Sequence, residues 1–206
     1  YRGKPHVGGQ GVYSRHLTKA LVDLGHHVEV YAGPPYPIID ERIPFHPLPS
    51  LDIWADPPPM RKPRLWEWKD WTDALEHLSF ATGTFSEPMA FSWRVWRELR
   101  TRRNDFDLIQ DNQTLGWGIL KLHREQWPIL ETIHHPITVD RKLELEHART
   151  PWEKFGKRRW YAFTKMQPRV AQRMPRILSV SENSKQDISA DKGVDLDKIH
   201  VVPVGV

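Results

Sequence analysis

The 206-residue chain contains no cysteine. That excludes disulfides, thiolate zinc sites and thiol nucleophiles together, and it fits a cytoplasmic protein. No apolar run approaches the roughly 20 residues of a membrane-spanning helix. Tyr1 to Gly11 is polar and glycine-rich, so no secretory leader is expected there. No Gly-Lys-Ser/Thr follows the glycines, which excludes a P-loop. Internal repeats are absent as well. The excess of positive charge is small, 30 Lys and Arg against 26 Asp and Glu, for a net +4. Such a balance permits an anionic partner without selecting one, and no nucleic-acid reading motif appears.

What is present is an ordinary globular composition, 39% hydrophobic and 27% charged, in a chain long enough to bury a core. The ten tryptophans are many, and several fall between Trp54 and Trp96, beside Pro57 to Pro59. Large aromatics that cannot all be core line grooves or meet interfaces.

Leu17, Ala20, Leu21 and Leu24 recur at helical spacing, so Gln10 to Leu24 reads as a helix with Gly25 at its C-terminal cap. "HVEVYAG" (27–33) alternates as a strand, and a short strand is expected near Ile43 to His46. Residues 34–64 are otherwise proline-rich and irregular, and helices follow at about Leu65 to Leu78 and Glu87 to Arg103. Strands at Phe106–Gln110, Pro128–His134 and Arg176–Ser181 then alternate with helices at Thr114–Gln126, Trp152–Arg173 and "ENSKQDISADKG". A long loop is expected after His134, and a kink or end at Pro168. "HVVPVG" is a last strand, and Ser181 and Gly193 cap the helix before it. Alternation of this kind predicts an α/β fold with a doubly wound, Rossmann-like parallel sheet and ligands at the carboxyl strand ends. A glycine loop like "GGQG" ordinarily follows a buried strand, so a first strand and a partner domain are expected outside the sequence.

The glycines Gly8, Gly9 and Gly11 pose a question of ligand. A dinucleotide fingerprint fails, because Ser14 stands where a third glycine belongs and no acidic residue ends the next strand. What remains is either a tight turn or a loop whose amides, with a helix dipole behind them, meet a phosphate.

"GGQGVYSRHLTKALVDLGHHVEVYAG" resembles the amino-terminal signature of the family 4 retaining glycosyltransferases of the GT-B fold. "ILSVSENSKQDI" and "VDLDKIHVVPVGV" are similar to the end of that family's first domain, with Val204 in place of the usual Asn. "DLIQDNQ" and "TIHHP" resemble its two central strand ends, while residues 34–105 do not align. The resemblance implies that residues 1–206 form an amino-terminal, acceptor-side GT-B domain, with the donor domain elsewhere. It implies transfer of a sugar from a nucleotide-sugar donor to a sugar, lipid-linked or small-molecule acceptor, with retention and no obligatory metal or cofactor. Gly8, Gly9 and Gln10 would meet the donor diphosphate. His134 matches the histidine that contacts the transferred sugar, a positioning role ahead of general-base duty, with adjacent His135 the competing choice.

Asp111, Asn112 and Gln113 end a strand where polar groups reach acceptor hydroxyls, and they read equally as a turn. Arg141, with Lys142, would bind an acceptor phosphate or carboxylate, or be surface charge. Arg61, Lys62 and Arg64 beside Trp66 would shape an acceptor loop. Trp54, Trp66 and Trp117 are candidates for stacking on sugar rings.

Two rival readings come from the residues alone. His134, His135, Asp140 and His147 offer ligands for a metal hydrolase, at a spacing that matches no known motif. Lys154, Arg158, Lys165, Arg169 and Arg173 against Phe155, Ala162, Met166 and Val170 read as an interfacial helix at an anionic membrane surface, or as an ordinary helix on the sheet. The expected location is therefore cytoplasmic, with peripheral binding to the inner membrane face left open.

Overall fold

The structure, a computed structural model, describes residues 9–53 and 61–204, without the side chains of 139, 140 and 142. It divides into two compact units, Tyr1–Asp73 and Ala74–Val206.

In the first unit, α1 (Gly9–Asp23) ends as the sequence predicts. Gly25 adopts φ 91°, and the N–H of His26 returns to the carbonyl of Leu21 at 3.0 Å. The apolar stripe is narrower than expected, because Ala20 and Leu24 are exposed. Thr18 is buried instead, its hydroxyl donating to the Ser14 carbonyl at 2.8 Å. Strands β1 (Val30–Ala32) and β2 (Phe45–Pro47) pair in parallel, with Val30 opposite Phe45. Ile43, Leu48, Leu51 and Ile53 are the buried apolar residues beside them. The helix expected over 65–78 is instead a 3-10 turn, Leu65–Glu67, followed by α2 (Trp71–Ala81), of which Ala74 onward belongs to the second unit. Asp70 accepts the N–H of Thr72 at 2.7 Å and so favours a helix start there.

The second unit holds a parallel sheet in the order β3 (Ile109–Asn112), β4 (Ile129–Ile133), β5 (Ile177–Ser179), β6 (Ile199–Val201). Every crossover of this four-stranded sheet contains helix, since parallel neighbours cannot be joined by a tight turn. α3 (Glu87–Leu99) precedes the sheet, and α4 (Trp117–Arg124) joins β3 to β4. α5 (Thr138–Glu146), α6 (Pro151–Trp160) and α7 (Met166–Ala171) join β4 to β5, and α8 (Glu182–Lys192) joins β5 to β6. Ile119, Leu122, Ile133, Ile177, Ile188 and Ile199 form the core between helices and strands. This is the α/β, Rossmann-like alternation that the sequence predicts, although the described strands form separate sheets of two and four.

Ser181 caps α8 by accepting the N–H of Ser184 at 3.1 Å, and Gly193 terminates it at φ 63°. Two expectations fail between β4 and β5. The long loop after His134 carries α5, and the helix expected over 152–173 breaks into 3-10 geometry at Tyr161–Lys165. Pro168 sits in the first turn of α7, where a missing N–H costs no helical bond.

The α3–α4 contact fixes the loop that enters the site. A Cβ on Gly118 would lie 1.9 Å from the backbone oxygen of Ser92, and one on Gly116 2.2 Å from its Oγ. Only glycine lets these backbones approach so closely. The N–H of Gly118 donates to Ser92 Oγ at 3.1 Å, which anchors the start of α4 on α3.

Candidate active site

The carboxyl ends of β3 and β4 bring together five of the residues that the sequence singles out, Asp111, Asn112, Gln113, His134 and His135. The strands pair in register, Asp111 opposite Glu131 and Asn112 opposite Thr132. Alternation then sorts their side chains onto two faces.

Gln110, Asn112 and Thr132 share one face. Gln110 Nε2 donates to Thr132 Oγ1 at 3.0 Å, and His134 Nε2 lies 2.8 Å from Asn112 Oδ1. With an amide oxygen facing Nε2, that nitrogen carries the proton and Nδ1 carries the lone pair. His134 is half-buried, and burial, then the charge of His135, lowers its pKa below the usual 6.5. The imidazole is therefore neutral at pH 7. His135 is exposed.

Gln113 follows the strand in left-handed geometry, φ 57°. Its Oε1 accepts the N–H of His134 at 2.9 Å, and its Nε2 donates to the carbonyl of His135 at 2.7 Å. The side chain is buried, with its amide engaged by backbone rather than turned outward. Leu115 is left-handed too, φ 50°, and its N–H donates to Asp111 Oδ2 at 3.0 Å.

Asp111 and Glu131 occupy the other face. Glu131 is 0% exposed, and among the described residues neither carboxyl oxygen meets a hydrogen-bond partner of ordinary geometry. Burial first, then the facing Asp111 carboxylate, raises its pKa well above 4.5. Lys192 of α8 is 1% exposed; burial lowers its pKa, against the opposing charges of Asp191 and Glu131. The sequence reading missed Glu131 and Lys192. A carboxylate inside the apolar run "PILETI" of a central parallel strand was the signal available.

Arg141 lies on α5, and its Nε is buried without a hydrogen-bond partner among the described residues, as is Thr138 Oγ1 one turn earlier. Gly9 is the first residue of α1, and an added Cβ there would meet nothing within 4 Å. Packing therefore does not demand glycine at this position. Gln10 is the next helical residue, while Gly8 and Trp54 fall outside the described residues.

Arg61 pairs with Glu67, and Arg64 lies over the Trp66 ring, 5.0 Å from its centroid. Among the described residues no three His, Cys, Asp or Glu side chains are placed to hold a metal. His147 Nδ1 instead donates to the Leu143 carbonyl at 2.7 Å, and the Asp140 side chain is outside the description. No helix among the described residues is long and apolar enough to cross a membrane. The basic segment does not form one amphipathic face: Met166 and Val170 enter the core, whereas Phe155 is exposed and stacks on Trp152 at 5.5 Å.

Residues 7–206 match the model of Glycosyltransferase Family 4. MMP alpha-(1->4)-mannosyltransferase of Mycolicibacterium hassiacum is 48% identical over 207 residues, covering 100% of this chain and 50% of that relative. The chain thus spans about half the length of the curated relative it matches.

Proposed function

Because the chain belongs to Glycosyltransferase Family 4, we propose that the full-length protein moves a hexose, mannose first among candidates, from a nucleotide sugar to an acceptor. Mannose is put first by the name of the relative at 48% identity. Transfer proceeds with retention, and this chain supplies the acceptor side of the cleft. The bond from sugar to diphosphate breaks, one from sugar to an acceptor oxygen forms, and the acceptor's hydroxyl proton passes to the leaving diphosphate oxygen, without a protein nucleophile.

The observation that carries this reading is a neutral histidine at a carboxyl strand end, its tautomer fixed by Asn112. An imidazole with Nε2 protonated accepts a sugar hydroxyl through Nδ1 and adds no charge to compete with the leaving diphosphate. Gly9 and Gln10 offer amides to that diphosphate at the start of α1. Asn112 and His135 are placed beside His134 for the acceptor, and Arg141 provides a cation for an acidic one. Asp111 and Gln113 serve this site from behind, through the loop they hold.

The test is nucleotide release by the full-length protein against nucleotide-linked mannoses and glucoses, followed by the anomeric configuration of the product. One donor should turn over and leave its configuration in the product. A folded protein that neither binds nor turns over any of the panel would contradict the proposal, and an inverted product would contradict retention.

Exposed aromatics favour one addition, peripheral contact with an anionic membrane. Trp152 is 80% exposed and stacked on Phe155, beside exposed Lys154 and Arg158. Flotation with anionic but not neutral liposomes, lost in Trp152→Ala, is the expected result; no flotation with either removes this addition.

A further inference from the structure

We propose that Gln113 is a positioning residue for sugar transfer, clamping the backbone that carries His134 rather than touching an acceptor. The inference rests on the glycosyltransferase reading for its consequence and on hydrogen bonds for its premise.

One primary amide joins two strand ends. Gln113 Oε1 takes the N–H of His134 and Nε2 gives to the carbonyl of His135, at 2.9 Å and 2.7 Å. β4 ends at Ile133, so these two peptides lie beyond its ladder, where the Gln113 amide bonds both. Asn112, the residue before the clamp, holds the imidazole itself. Backbone and ring of His134 are therefore both tied to consecutive residues of the neighbouring strand end.

The clamp needs an unusual backbone. Gln113 at φ 57° and Leu115 at φ 50° are both left-handed without being glycine. Such geometry persists only where surrounding contacts over-determine it. Here those contacts are the bond from Leu115 N–H to Asp111 at 3.0 Å and the anchoring of Gly118 on Ser92 at 3.1 Å. A strained loop held from both sides keeps the amide within reach of β4, and the histidine stays in one place before any ligand arrives.

Gln113→Asn separates the clamp from the strain. Asparagine accepts left-handed geometry more readily than glutamine, yet its amide is one methylene too short to span both peptides. In the full-length protein this variant should remain folded, with a lowered thermal midpoint, and keep its KM. Its kcat should fall by about 100-fold, as displacement of a positioned group by an ångström can do. Exchange of the His134 amide hydrogen, read by NMR, should speed up in parallel. Should the shorter variant fold poorly, Gln113→Met, which keeps the length of the side chain but neither accepts from His134 nor donates to the His135 carbonyl, should show the same pattern. In a His134→Ala background, Gln113→Asn should cost nothing further in kcat, because the group it positions is gone.

Unchanged exchange at His134, or a full further loss of kcat in the His134→Ala background, would overturn the proposal. Amide exchange is measured without substrate, so a failed donor panel would remove the catalytic role while leaving the clamp itself separately tested.

Discussion

The β3–β4 pair shows two unlike faces. On one, the partners are neutral: Gln110 with Thr132, and Asn112 with His134. On the other, Asp111 faces a wholly buried Glu131, and buried Lys192 brings an opposing charge. Neutral hydrogen bonds fix geometry at modest desolvation cost, and they hold a half-buried histidine whose pKa burial lowers. Buried ionisable groups make stability depend on pH and on one another. Position is set on the first face, and the balance of charge on the second.

The charged face should break first. Lys192→Ala leaves the Asp111–Glu131 pair without its nearby cation and opens a cavity, so it should cost about 3 kcal/mol in urea unfolding at pH 7. A loss near zero would mean that the cation does not compensate the carboxyls.

On the neutral face, Asn112→Asp sets a carboxylate against His134 Nε2 at the position where 2.8 Å now separates ring and amide. An adjacent anion favours the imidazolium, so the histidine pKa should rise by about one unit or more. Turnover should then fall by about two- to fourfold at neutral pH and recover as pH rises above the new value, where the ring is again neutral. NMR titration of the ring and a pH profile of kcat read the two effects.

The smallest effect returns to the charged face. Glu131 has a raised pKa in the fold, so the stability it contributes is full below the unfolded value of 4.5 and lost as pH rises through the folded one. Glu131→Gln removes that loss, because an amide never ionises and can donate to Asp111. The variant should gain about 1 kcal/mol at pH 8 and nothing at pH 4, flattening the pH dependence of urea unfolding. An unaltered slope would mean that Glu131 ionises freely.

Local signals made much of this fold legible. Gly25 and Gly193 stand where helices must end, and both are left-handed; Ser181 stands where a helix must begin, and it caps. Apolar runs such as "RILSVS" marked strands to within a few residues. The segment between β4 and β5 was misread because its periodicity continues through Tyr161–Lys165 while the tertiary packing does not. Packing likewise put Met166 and Val170 in the core and left Phe155 outside, a choice no helical wheel contains.

Within the site, residue types at strand ends pointed to Asn112 and His134, since a polar run after an apolar one has a fixed meaning in a parallel sheet. The use made of Gln113 could not be read, because it depends on a left-handed backbone and on two peptides of another strand. Nor could the glycines of "LGWGIL", whose necessity lies in the approach of α3.

The most direct test of the neutral, Asn112-fixed histidine as the working group is turnover by full-length His134→Ala with whichever donor the wild type uses. The account predicts a fall in kcat of about 100-fold or more, as for loss of a group that stabilises the transition state, with nucleotide binding and thermal midpoint nearly unchanged. A variant that transfers sugar as fast as the wild type would contradict it.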